Sequence, residues 1–218
     1  MEALVRGEVF IVHKDLNFNY TYCNNIFLQY AGLKSIDQAL GCTDLDMCWS
    51  EYADLYETFE LDLLAGKQYS SLAPLKDYKG EEKWFFGNKF LKYNEKSELI
   101  GSETYIMEIV QPKFFSLINF LKSVNEENKI QTYKIGHLID DIKLTTREGE
   151  CLFYILKAKS AKEIARLLNL SNRTIETYIE HLKFKFGAES KSDLIIKAIE
   201  KGYMKFIPKN ICKKLIDE

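Results

Sequence analysis

The chain has 218 residues, 46% of them apolar and 28% charged, with a formal net charge of −2. That length exceeds the commonest domain size of roughly 100–150 residues, so two domains are expected, and the balance of apolar and charged residues excludes a wholly disordered chain. Glu2, Arg6 and Glu8 interrupt the apolar run that a secretion signal needs, and no stretch reaches the roughly 18 uninterrupted apolar residues of a membrane span, so a cytoplasmic protein with no membrane partner is expected.

The charge is divided along the chain: −8 over residues 1–112, zero over 113–142 and +6 over 143–218. Only the basic end suits a polyanionic partner. The five cysteines (Cys23, Cys42, Cys48, Cys151, Cys212) form no CxxC pair and have no His at zinc-finger spacing, so no metal site is expected and they read as reduced, mostly buried small hydrophobes. A redox pair of Cys42 and Cys48 is the alternative, resting on proximity.

In chain order, Val9–Val12 and Phe18–Tyr22 are β-branched and aromatic runs either side of a turn at 14–17. Ile26, Phe27 and Tyr30 fall at helical spacing before Gly32. Tyr52, Leu55, Tyr56, Phe59 and Leu63 give an amphipathic helix over Ser50–Ala65, closed by Gly66. Three strands are predicted over Tyr69–Leu75, Lys83–Tyr93 and Ile100–Val110, with turns at Lys79-Gly80 and Asn94-Glu95. Strands on both sides of a helical group imply an antiparallel α+β domain. From Pro112 onward Phe114, Leu117, Ile118, Leu121 and Val124 form a helical stripe whose apolar side packs on the first domain or on a second copy.

The last third is organised around helix starts. Thr145 with Glu148, and Ser160 with Glu163, have capping-box spacing ahead of Leu152, Ile155 and Leu156 in one helix and Ile164, Ala165 and Leu168 in the next. Ser171 caps a third, with Ile175, Ile179, Leu182 and Phe186 on one side and Gly187 at its end. The other side is polar. Two short helices joined through Asn169 and Leu170, the second offering a polar ridge, suit a DNA major groove.

Here the sequence resembles the LuxR/GerE-type helix-turn-helix family. The matching residues are Leu144-Thr-x-Arg-Glu148, Glu150-Cys-Leu152, Lys159-Ser-x-x-Glu163-Ile-Ala165, Leu170-Ser171-x-x-Thr174-Ile175, Lys185-x-Gly187 and Ala198-Ile-x-x-Gly202. The family usually has His at Tyr178 and Gly at Ala158. The resemblance implies four helices, the third reading bases and the fourth, Ser192–Lys201, serving as a dimer surface. On that basis Glu176, Thr177, Glu180 and His181 are expected to face bases, and Lys159, Thr174, Tyr178, Lys183 and Lys185 to meet phosphates. A carboxylate on the reading side accepts from cytosine N4, which points to C·G pairs.

The first hundred residues resemble a PAS domain, through the order Val9–Val12, Phe18–Tyr22 into Asn24-Asn25, Gly41-x-Thr43-Asp44, the helix to Gly66, then Gly80, Trp84 and Gly101. The resemblance implies a sensor that binds a small molecule or a partner and signals through residues 112–128. Trp49, Tyr56, Trp84, Phe86 and Tyr105 are candidate pocket residues; no cofactor is expected, with His13 as a remote haem-ligand alternative. The division expected is 1–111 sensor, 112–142 linker helix and connector, 143–204 DNA-binding domain and 205–218 basic tail.

No P-loop, HExxH or GxSxG is present, so an enzyme with catalytic residues is not expected. A receiver domain would need a parallel βα repeat. The expected protein is therefore a DNA-binding transcriptional regulator acting as a homodimer on double-stranded DNA, with RNA polymerase as a further partner that this class admits. A sensor of acyl-homoserine lactones stays open as the alternative.

Overall fold

The computed structural model describes residues 9–110, 132–136 and 142–217. The linker helix expected over 112–128 lies outside the described residues, as do Glu2, Arg6 and Glu8. The chain divides into two compact units, Met1–Lys134 and Ile135–Glu218.

In the first unit, β1 (Val9–Lys14) and β2 (Tyr20–Cys23) form a hairpin. Its turn is held by the Asp15 carboxylate, which accepts from the amides of Asn17 and Asn19 at 2.9 and 3.0 Å. Helix α1 (Asn25–Ala31) starts where the Asn24 side chain accepts from the Phe27 amide and stops at Gly32, in the left-handed conformation. The predicted helix over Ser50–Ala65 begins as a single tight turn and becomes α2 (Ala53–Leu64). Then follow β3 (Tyr69–Lys76), β4 (Glu82–Tyr93) and β5 (Leu99–Glu108), each within two residues of its predicted bounds.

The five strands lie in the order 2-1-5-4-3, with β1 antiparallel to β2 and β5, and β4 antiparallel to β5 and β3. With the helices inserted between β2 and β3, this is an α+β, PAS-like arrangement. Strand alternation sends Phe10, Val12 and Lys14 to one face, where Tyr20, Phe27, Trp49, Leu75 and Phe85 complete an apolar core. Gly101 permits the close passage of β5 beneath the end of β1: its φ is +149°, and a Cβ there would meet the Lys14 carbonyl oxygen at 1.8 Å. A further strand, β6 (Tyr133–Gly136), follows later in the chain.

The second unit carries α3 (Thr146–Leu156), α4 (Ala161–Leu168), α5 (Asn172–Phe186) and α6 (Lys191–Glu200). Both predicted capping boxes form, at Thr145 with Glu148 and at Ser160 with Glu163. Leu152, Ile155, Ile164, Ile175, Leu182 and Leu194 are its fully buried aliphatic centre. Ala158, at the turn after α3, has φ +57°, a conformation that costs an L-residue about 1–2 kcal/mol and that glycine adopts freely.

The segment expected as a basic tail is folded. It forms β7 (Phe206–Pro208) and α7 (Lys209–Asp217), and Phe206, Ile207, Ile211 and Cys212 are buried. Every residue of α3 from Glu148 to Leu156 is buried, and Asn210 donates to the buried Glu150 at 3.1 Å, so this extension is part of the domain. Its four lysines give it a basic balance, while four buried apolar side chains decide its structure. Among the described residues no helix is long and apolar enough to cross a membrane.

Lys157 is buried beside the Met204 sulfur, 3.8 Å away, and burial pushes its ammonium down from 10.5 to about 8. Between those values the unfolded chain holds a proton that the folded chain has released, so stability rises with pH through this window and the full penalty is present below pH 8. Lys157→Met is expected to stabilise the protein at pH 7 by on the order of 3 kcal/mol, and by progressively less towards pH 10. Melting temperatures of both proteins across pH 7–10 check this, since the gap must narrow.

Candidate nucleic-acid interface and sensor cavity

Helix α5 is fixed at both ends. The Ser171 hydroxyl accepts from the Thr174 amide at 3.0 Å, and Gly187 closes the helix in the left-handed conformation. Asn169, with φ +53°, ends α4 and makes the two-residue connection possible. With Ile175, Leu182 and Phe186 buried, the opposite side has no choice but to face solvent.

All four residues expected to face bases, Glu176, Thr177, Glu180 and His181, are exposed on this ridge. Glu176 accepts from the Asn172 amide group at 3.1 Å, and the Thr177 hydroxyl donates to the Arg173 carbonyl at 3.1 Å. Both Glu180 oxygens receive Lys183, at 3.0 and 3.1 Å. Such an exposed pair contributes little and is easily exchanged for another partner. Phe184, 89% exposed, ends the same side.

The phosphate candidates divide. Lys159 sits 3.4 Å from Glu163, Thr174 is hydrogen-bonded to Ser171, and Tyr178 is half-buried beside the ridge. Lys185 is committed elsewhere: its ammonium donates to the buried Glu148 at 2.7 Å and to the Lys143 carbonyl at 2.8 Å. The carboxylate that caps α3 thus takes this charge as well, a pairing that competes with the role expected for Lys185 at phosphate. Burial works against the Glu148 carboxylate, but Lys185 and the Thr145 amide and hydroxyl more than offset it and hold its pKa below the usual range.

Three cations were not anticipated. Arg173, on the first turn of α5, and Lys162 and Arg166 on α4 are exposed and have no ion pair among the described residues. The sequence signal was available: both helices carry exposed basic residues beside the turn that joins them.

In the first unit a cavity of about 70 Å³ lies between sheet and helices. Trp49 and Tyr56 line it, with Phe10, Phe27, Phe59 and Phe85. Trp84, Phe86 and Tyr105 do not. In β4 the residues facing the cavity are Phe85, Gly87 and Lys89, so their neighbours Trp84 and Phe86 face the other way. Tyr105 meets Phe90 across that outer face, ring centroids 6.1 Å apart. His13 is on the same outer side, against Tyr22, Glu103 and Lys92, away from the cavity.

The cavity wall also holds charge. Asp44 receives the Lys14 ammonium, the Tyr20 hydroxyl and the Trp49 indole N–H, the last at 3.1 Å. Glu60 receives the Lys89 ammonium, which also donates to the Thr104 hydroxyl at 3.2 Å. Burial opposes both carboxylates, yet Lys14 beside Asp44 and Lys89 beside Glu60 keep them ionised below their ordinary range. Among the described residues no group of three or more His, Cys, Asp and Glu is placed to hold a metal.

Residues 143–198 match the family described as bacterial regulatory proteins, luxR family. The second unit carries a LuxR-family helix-turn-helix. The transcriptional activator VanR of Vibrio anguillarum is 41% identical over 61 residues, 28% of this chain and 25% of that protein. The oxygen regulatory protein NreC of Staphylococcus aureus is 34% identical over 94 residues, 42% of this chain and 40% of that protein. The chain thus spans a quarter to two fifths of these relatives' length. The VqmA dimer of Vibrio cholerae, a LuxR-type receptor, aligns over 94% of this chain and 87% of its own at 25% identity, with a TM-score of 0.48. The LuxR family is one of regulators rather than enzymes.

Within this LuxR-type unit, Lys185→Ala leaves Glu148 buried with an unbalanced charge. The expected cost is about 1–3 kcal/mol of stability. Chemical denaturation of the variant measures it directly; an unchanged midpoint would return Lys185 to the list of free cations.

Proposed function

We propose that the chain is a sequence-specific, DNA-binding transcriptional regulator that acts as a homodimer on double-stranded DNA and is controlled by a small molecule, or a partner, sensed in its PAS-like unit. The observation that carries this reading is the exposed polar ridge of α5, presented by a LuxR-type fold that buries Ile175, Leu182 and Phe186 on the other side and leaves Ile179 half-buried. Residues 1–111 serve as the sensor, 112–142 as the connector and 143–204 as the DNA-binding domain, to which the folded segment 205–218 is added.

In this reading Glu176, Thr177, Glu180 and His181 meet base edges. Lys159, Thr174, Tyr178 and Lys183 meet phosphates, joined by Arg173, Lys162 and Arg166. The exposed Ile196 and Ile199 on α6 supply apolar surface for pairing with a second copy. The cavity is several times the space one water requires and its wall is mostly apolar, with seven aromatic side chains, so it favours a compact, uncharged ligand over a long acyl lactone.

Selection of bound fragments from a genomic pool, followed by binding titrations, tests the assignment. Arg173→Ala is expected to weaken binding to all duplexes alike and to reduce the salt dependence by about one charge. Glu180→Gln is expected to change the preference at one base pair by roughly 1–3 kcal/mol. Failure of the wild-type chain to bind any duplex at low salt would overturn the reading.

A further inference from the structure

Asp62, near the end of α2, is buried and accepts three donors. Lys67 and the Tyr69 hydroxyl reach it at 2.7 and 2.6 Å, and the third donor is the ammonium of Lys134. The first two are local, five and seven residues away, and already satisfy a buried carboxylate. Lys134 comes from 72 residues further on and is the last residue of the first unit. Its ammonium also stands 4.6 Å from the centre of the Tyr69 ring. The neighbouring Tyr133 is buried and stacks on Trp84, with ring centroids 6.3 Å apart and planes at 27°. Adjacent residues of a strand point to opposite faces, so this segment is gripped from both sides.

The grip touches the cavity. Lys67 and Tyr69 line a small annex of about 10 Å³, whose other walls include Phe59, Ser71, Gly87 and Lys89. Those four are also walls of the main cavity. One tyrosine therefore presents its ring to the annex and its hydroxyl to Asp62.

We propose that Tyr69, Asp62 and Lys134 form a releasable latch by which occupancy of the cavity is reported to the segment entering the DNA-binding unit. A ligand reaching the annex displaces Tyr69, and Asp62 follows it away from Lys134. Lys67 keeps the carboxylate satisfied, so release strands no buried charge beyond one lysine able to reach water. Asp62 and Lys134 are positioning residues in this scheme, which rests on reading the first unit as the sensor of a DNA-binding regulator.

The test uses the full chain, amide hydrogen exchange and duplex affinity. Lys134→Gln is expected to speed exchange over residues 132–136 at least tenfold and to change duplex affinity at least fivefold, while protection of β1 and β5 stays as in wild type. Lys134→Arg, which keeps the charge, should restore both readouts. Ser71→Leu fills the annex while leaving every latch residue in place in the sequence and, by displacing Tyr69, should reproduce the faster exchange; protection of β1 and β5 again shows that the fold is kept. Unchanged exchange at 132–136 in either Lys134→Gln or Ser71→Leu overturns the latch, as does unchanged affinity alongside faster exchange. A wild-type chain that binds no duplex defeats the regulator reading and the reporting role with it, while the exchange data still decide whether the grip exists.

Discussion

A helix that buries one side commits the other. In α5 the burial of Ile175, Leu182 and Phe186, together with caps at Ser171 and Gly187, leaves Glu176, Thr177, Glu180 and His181 nowhere to go but outward. The DNA-binding reading depends on that constraint. The ridge has a mixed character, because its two carboxylates repel phosphate while its own lysines are partly engaged. In that reading affinity comes from cations around the ridge, and selectivity from the ridge itself.

The first unit obeys the same logic with strands. A residue in β4 faces either the helices or the opposite side, and the choice is made once for the entire strand. Because Phe85 belongs to the core, Lys89 is carried into the cavity and Trp84 is carried out of it. The inward lysines are tolerated because Asp44 and Glu60 arrive from the helical side to meet them. A cavity lined by an ion-paired wall is polar without carrying net charge at those two pairs.

What could be read from the sequence was mostly what is local. Capping boxes at Thr145 and Ser160 span three residues, and the strand and helix bounds follow from short-range periodicity, so these emerged with small errors. What escaped were relations across distance. The pairing of Lys185 with Glu148 joins positions 37 apart, and the exclusion of Trp84, Phe86 and Tyr105 from the cavity needs knowledge of which side the helices cover. In the segment 205–218, the apolar residues at 206, 207, 211 and 212 are interleaved with as many lysines, whose charge masked the buried set.

The junction between α4 and α5 has a mechanical consequence. Asn169 holds the left-handed turn, the Leu170 amide donates back to Ala165 at 2.9 Å, and Ser171 starts the next helix at once. So short and fully bonded a joint has no slack, and the two helices travel as a single rigid tool. In the proposed regulator, a signal that alters DNA binding then acts on where that tool is carried, leaving the tool itself unbent.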